Sequence, residues 1–206
     1  MKSSSELKRQ AKNKLVGKWG TAILVCFIEG ALLALASGVS CGLATLIISG
    51  PLCVGVAYFM LAYARRTPPV GVSDMFHGFT QSIGANIVAY ILITLYTFLW
   101  SLLFIIPGIV KSYAYAMTQY ILADHPEYTA TEAIEKSQEL MKGNKFRLFC
   151  LELSFIGWII LSGIAFGIPL IWVIPYMEMT KAEFYQNLLE EKGEVLSDVA
   201  VSDGRE

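Results

Sequence analysis

Apolar residues run in long blocks, and the polar stretches between them carry helical stripes. Gly20–Ala36, Leu43–Ala64 and Ile87–Val110 are blocks of crossing length, since about 20 apolar residues span a ~30 Å hydrocarbon core. Leu148–Met177 is too long for one crossing and divides at Gly167-Ile168-Pro169. Ile109–Ala123 follows the turn-forming Pro107-Gly108, is short, and contains Lys111. Its Tyr113, Tyr115 and Tyr120 suit the aromatic belts of a membrane helix.

Three amphipathic segments separate these blocks. The first opens with Ser3-Ser4-Ser5-Glu6, a capping-box pattern, and places Leu7, Ala11 and Leu15 on one stripe. The second, Val72 to Ile83, has Ser73 and Asp74 as start signals and Phe76, Phe79 and Ile83 as its stripe. The third opens with Thr129-Ala130-Thr131-Glu132 and carries Ala133, Ile134, Ser137, Leu140 and Met141. Gly17, Gly84 and Gly143 follow in turn, where glycine lets the chain swing from the surface into the bilayer.

The turns repeat as well. Ser37–Leu43 parallels Ser162–Ile168; both contain GxxxG, which predicts tight packing at the hairpin mouths. Pro51, Pro107 and Pro175 then introduce return helices. The chain reads as one unit repeated three times, although the second unit lacks the glycine motif.

Charge sharpens this picture. Charged residues make up 16% of the 206 residues, against about 25% in a soluble domain. Residues 19–64, 75–123 and 148–177 hold three formal charges between them: Glu29, Lys111 and Glu152. A soluble fold spreads charge over the wet face of every element. The pattern excludes a soluble enzyme, a disordered chain and a nucleic-acid binder. The basic groups Lys2, Lys8, Arg9, Lys12, Lys14 and Lys18 place the N-terminus in the cytoplasm by the positive-inside rule. Arg65-Arg66 and the group Lys136, Lys142, Lys145 and Arg147 mark the same side. Ile109–Ala123 must then return, which gives six spans; five would leave the last four basic groups outside. Ala34-Leu35-Ala36 could serve as a signal-peptide cleavage site, but the long charged region and Glu29 argue against cleavage.

The expected fold is therefore all-α: a polytopic bundle of six transmembrane helices in three hairpins, each preceded by an amphipathic cytoplasmic surface helix. The approximate spans are 19–37, 43–64, 86–106, 108–123, 147–166 and 168–187. They form one membrane domain over 1–190, with 191–206 a disordered acidic tail.

Candidate chemistry is sparse. Intramembrane charges usually face a bundle interior or water. Glu29 and Glu152 thus form a candidate polar site for protons or a cation, against a structural reading as hydrogen-bonded core carboxylates. Lys111 and Glu178 follow Pro107 and Pro175 at corresponding places near the outer surface, which predicts an ion pair. Lys8, Arg9, Lys12, Lys14 and Lys18 could lie on anionic lipid. Asp124-His125-Pro126-Glu127 clusters metal-type side chains, yet a turn with helix caps explains it. His77 sits on the polar edge of its segment. Cys26, Cys41, Cys53 and Cys150 have no paired spacing. No Walker A, GxGxxG, HExxH or triad pattern occurs, so no catalytic residue, metal or cofactor is expected.

Asp124-His125-Pro126, Ser137, Leu140-Met141-Lys142-Gly143-Asn144-Lys145, Phe149 and Ser154-Phe155-Ile156-Gly157-Trp158 form one recognisable stretch. With Pro175-Tyr176, Phe184-Tyr185, Glu6-Leu7-Lys8, Gly17-Trp19 and Ile106-Pro107-Gly108, it resembles a bacterial membrane-protein family known as domain of unknown function 975. A looser likeness exists to the membrane domain of some glycerophosphodiester phosphodiesterases. The resemblance implies a multi-pass protein of the bacterial cytoplasmic membrane and no activity. The leading expectation is a non-enzymatic accessory protein, with the bilayer and an unidentified membrane protein as partners. A small transporter or channel using Glu29 and Glu152 is the alternative. A lipid-acting enzyme near Asp124, His125 and Glu127 is the third.

Overall fold

A computed structural model describes residues 2–40, 43–65, 71–103, 105–164, 167 and 169–193. Among these the protein is helical, with no strand. The order is α1 (Ser4–Leu15), α2 (Trp19–Ser40), α3 (Leu43–Ala64), a 3-10 turn (Val72–Phe76), α4 (His77–Thr80), α5 (Ile83–Leu103) and α6 (Ile105–Tyr115). Then follow α7 (Thr118–Asp124), α8 (Ala130–Leu140), α9 (Lys145–Leu153), α10 (Ile156–Ile164) and α11 (Leu170–Lys192).

The first and third amphipathic segments form as expected. Ser3 caps α1, its Oγ accepting from the Glu6 amide at 3.3 Å, and Leu7, Ala11 and Leu15 are buried. Thr129 and Glu132 close the capping box of α8, and Ala133, Ile134, Ser137 and Leu140 face inward. Gly17 and Gly143 adopt positive φ at the turns into α2 and α9. At the middle junction that role falls to Ser82 (φ 47°), while Gly84 lies inside α5. Ser82 is held there by donating its hydroxyl hydrogen to the Pro126 carbonyl.

The second segment differs from expectation. It is not a surface helix with Phe76 and Ile83 inward; both are exposed, and Met75 and Gly78 are buried instead. Glycine explains the difference. A Cβ on Gly55 would stand 1.7 Å from the Met75 carbonyl oxygen, and one on Gly78 would stand 2.0 Å from that of Pro51. Missing side chains let residues 71–80 lie backbone-on-backbone against the middle of α3. Near-complete burial of Leu52–Ala64 makes α3 the hub, touched by α2, α5, α7, α11 and the 71–80 segment.

Among the described residues, the GxxxG glycines Gly38, Gly163 and Gly167 make no close contacts. A Cβ on Gly38 or Gly163 meets nothing within 4 Å. Cys41, Gly42, Phe166 and Ile168 of those turns lie outside the described residues. Within the α5/α6 hairpin the close approach is Gly108 against Ser101.

Four stretches are long and apolar enough to cross a membrane: Trp19–Gly38, Ala44–Ala64, Ile83–Leu102 and Lys145–Gly163. The last bends at Ser154-Phe155. Two expected passes do not qualify. Eleven-residue α6 is about 16 Å long and breaks from α7 at Ala116-Met117. Helix α11 carries Glu178, Lys181 and Glu183 along its length. It begins at Leu170 and holds Pro175 inside it, so Pro175 does not introduce it. It runs on to Lys192, and residues 194–206 of the acidic tail lie outside the described residues.

Candidate intramembrane charge cluster

Six helices bring ionisable groups together around Lys181 of α11. One helical turn separates Lys181 from Glu178, whose Oε1 lies 3.4 Å from the ammonium. Glu152 of α9 approaches the same ammonium at 3.4 Å. Tyrosines complete the two carboxylates: Tyr113 of α6 donates to Glu152 at 2.7 Å, and Tyr120 of α7 donates to Glu178 at 3.3 Å. Tyr120 is held in place by stacking on Tyr185.

Glu29 of α2 lies near the same cluster. The Cys53 thiol of α3 faces its carboxylate at 3.9 Å, and Glu178 and Lys181 lie within electrostatic reach. The two sequence candidates Glu29 and Glu152 thus belong to one polar neighbourhood, connected through α11. Two carboxylates, Glu152 and Glu178, share the Lys181 ammonium, and Glu29 lies outside ion-pair distance of it. Sequence reading missed Lys181, Tyr113, Tyr120 and Cys53 as members. The i,i+3 spacing of Glu178 and Lys181 was the available signal.

The predicted Lys111–Glu178 pair does not form. Glu178 lies two turns inside α11 and faces Lys181 and α7. Lys111 faces the other way, over the rings of Trp100 at 5.2 Å and Tyr115 at 6.0 Å. It shares a pocket with Thr131, Glu135 and Gln138 of α8. It therefore lies beside the charged helix α8.

Three of the five basic groups assigned to a lipid surface turn onto protein instead. Lys8 donates to the Ser154 carbonyl at 3.2 Å and sits over the Phe155 ring; burial pushes its pKa down. Lys14 pairs with buried Glu183 at 2.6 Å, and Lys18 sits over Tyr63. Arg9 and Lys12 are exposed.

The Asp124–Glu127 group separates. Asp124 forms a two-pronged pair with Arg65 at 2.6 and 2.7 Å. His125 meets Glu127 at 2.9 Å and stacks on Tyr128. A backbone hydrogen bond, with His125 beside it, holds Glu127 below the ordinary carboxylate range. His77 stacks on Tyr58 at 4.0 Å. Cys26, Cys53 and Cys150 are free thiols, and Cys41 lies outside the described residues. Among the described residues no three His, Cys, Asp or Glu side chains are arranged to hold a metal ion.

An apolar groove of about 370 Å³ runs beside the cluster between α2 and α11. Its walls are Ile23, Phe27, Gly30, Leu170 and Ile174; neither Glu29 nor Glu152 lines it.

Helical throughout its described residues, and with four membrane-length apolar stretches, the chain has the form of an all-α protein compatible with life in a membrane. A family model described as "Protein of unknown function (DUF975)" matches residues 1–112 and 103–192. The chain belongs to that family. The two matches fit an internal repeat. No curated protein and no solved structure matches. The looser likeness to phosphodiesterase membrane domains has no support there.

Proposed function

We propose that this chain is a non-enzymatic accessory protein of the bacterial cytoplasmic membrane, working through contacts with lipid and with another membrane protein. The observation that carries this reading is the closure of the charge cluster on the protein itself. Lys181, Glu152, Glu178, Tyr113 and Tyr120 satisfy one another and tie α6, α7, α9 and α11 together. That is the work of a clasp.

Both ends of the described chain support a common face. Lys2 pairs with Glu190 at 2.8 Å, and Arg147 with Glu191 at 2.9 Å. The basic groups support a cytoplasmic placement of this face by the positive-inside rule. The six-pass expectation needs α5/α6 to carry Lys111 a membrane thickness away from α8. The pocket joining Lys111 to Glu135 supports a different reading, in which the hairpin dips in from the α8 side and returns. Glu132, Glu135 and Glu139 are exposed on α8, and charges at the bilayer centre cost about 2.5–3.5 kcal/mol each on insertion scales.

A second reading, a small transporter or channel, is favoured by Glu29, which has a thiol and no cation within ion-pair distance among the described residues. The enzyme reading gains nothing, since Asp124 is committed to Arg65. Flux through reconstituted vesicles separates the first two. The accessory reading expects proton and cation flux no greater than in empty vesicles. Flux abolished by Glu29→Gln would establish the transporter.

A further inference from the structure

We infer that the pocket between α5, α6 and α8 is a binding site for a phospholipid headgroup that carries both a phosphodiester and a primary ammonium. The inference rests on the membrane reading above.

The pocket measures about 320 Å³ and has a mixed lining. Tyr96 and Trp100 come from α5, Lys111 and Tyr115 from α6, and Glu135 and Gln138 from α8. Lys111 and Glu135 line the same space, yet among the described residues neither has an oppositely charged partner within 4 Å. One unpaired cation and one unpaired anion in a single pocket call for a ligand carrying both signs. The Lys111 ammonium is already oriented by Trp100 and Tyr115, so its position is set without any carboxylate. A phosphodiester oxygen suits Lys111 and the amide of Gln138. An ammonium suits Glu135 and the faces of the aromatic wall.

The surroundings specify a lipid over a free solute. Trp and Tyr side chains collect at the headgroup level of a bilayer, and the charged face of α8 marks that level here. From the pocket toward the hairpin tip, Leu99, Leu102, Ile106 and Val110 are 51, 75, 75 and 45% exposed. This apolar edge continues from the Trp100 wall and offers acyl chains a surface in line with the headgroup. A purely anionic headgroup would leave Glu135 unanswered. A quaternary ammonium would bring no N–H donor to it.

The test uses the full chain in mild detergent, with phosphatidylethanolamine, phosphatidylglycerol and phosphatidylcholine in equal amounts, and weighs retained lipid by native mass spectrometry. Phosphatidylethanolamine is expected in roughly ten-fold preference over the other two, equivalent to about 1.4 kcal/mol. Glu135→Gln should remove the preference over phosphatidylcholine, and Lys111→Met should lower retention of all three. Lys111→Arg should keep it, which separates loss of charge from loss of packing. Equal retention of the three lipids, or a preference that survives both Glu135→Gln and Lys111→Met, would overturn the pocket. No retained phospholipid of any kind would instead overturn the membrane reading beneath it.

Discussion

Arg65 and Asp124 offer the sharpest stability test. Arg65 follows α3, and Asp124 ends α7, 59 positions away. The guanidinium donates to both carboxylate oxygens, and the side chains are 7% and 1% exposed. Removing Asp124 takes the two-pronged carboxylate from a buried guanidinium, and removing Arg65 takes the cation from a buried carboxylate; breaking a buried pair in this way typically costs about 3–5 kcal/mol. Asp124→Asn keeps the shape and removes the charge, so it isolates the electrostatic loss. For a chain of this length, that loss lowers Tm by roughly 6–20 °C, at about 2–4 °C per kcal/mol. Arg65→Met leaves the carboxylate stranded and should cost as much. The double variant Arg65→Met/Asp124→Leu replaces the pair with apolar groups and should be more stable than either single. Thermal unfolding of the purified protein in one fixed detergent, followed by tryptophan fluorescence, reads all four proteins. Singles costing below 1 kcal/mol, or a double equal to the sum of the singles, would refute the reasoning. The pair would then be a surface-like bridge, worth little.

Three further outcomes follow from other contacts. Gly55→Ala puts a Cβ into the Met75 carbonyl and should cost about 1–3 kcal/mol or more; hydrogen exchange should show residues 72–80 losing protection before α3 does. Ser137 donates to the Ala114 carbonyl at 2.8 Å and accepts from the Met117 amide at 3.2 Å, bridging the α6/α7 break. Ser137→Ala strands both groups and should cost about 1–3 kcal/mol in the same unfolding assay, while Ser137→Ala without effect would show that the break is held by packing alone. At the start of α8, the Thr129 amide and hydroxyl hold the Glu132 carboxyl below its ordinary 4.5. A depressed folded-state pKa adds stability above the unfolded value and loses it as pH falls through the folded value. Amides 130–133 should therefore lose protection, measured against their intrinsic exchange rates, on acidification below about 4.5 in the native protein, with Glu132→Gln largely removing that dependence.

Much of the fold was legible because its signals are local. Capping boxes, glycine turns and apolar blocks each depend on a few neighbouring residues, and α1, α2, α3, α8 and the α10/α11 division follow them. What stayed hidden depends on partners far away in the chain. Phe76 and Ile83 have the spacing of a buried stripe, but the opportunity for backbone contact at Gly55 and Gly78 outweighed it. The α6/α7 break needs a hydroxyl from Ser137, twenty positions on. The basic stripe of the N-terminal segment reads as a lipid face, yet Lys8, Lys14 and Lys18 found a carbonyl, a carboxylate and aromatic rings within the protein. At the candidate site, the two carboxylates were visible as charges in apolar runs. Lys181 was not, because it lies in a stretch where charge is ordinary.

The arithmetic of that cluster bears on what the protein can do. Lys181 is shared between two carboxylates at equal distance, and each carboxylate also accepts from a tyrosine. A group used in conduction must exchange partners easily, whereas each of these would break two contacts to release one. Glu29 is different: among the described residues its carboxylate accepts from a thiol, a weak donor. The clasp and any ion-responsive behaviour can therefore be pulled apart by substitution. Lys181→Met removes the shared cation and should loosen α9 and α11 together, whatever Glu29 does. Glu29→Gln leaves all four clasp contacts in place. A protein that unfolds more easily with the first change and is indifferent to the second has a structural cluster; one that keeps its stability with both has no clasp there.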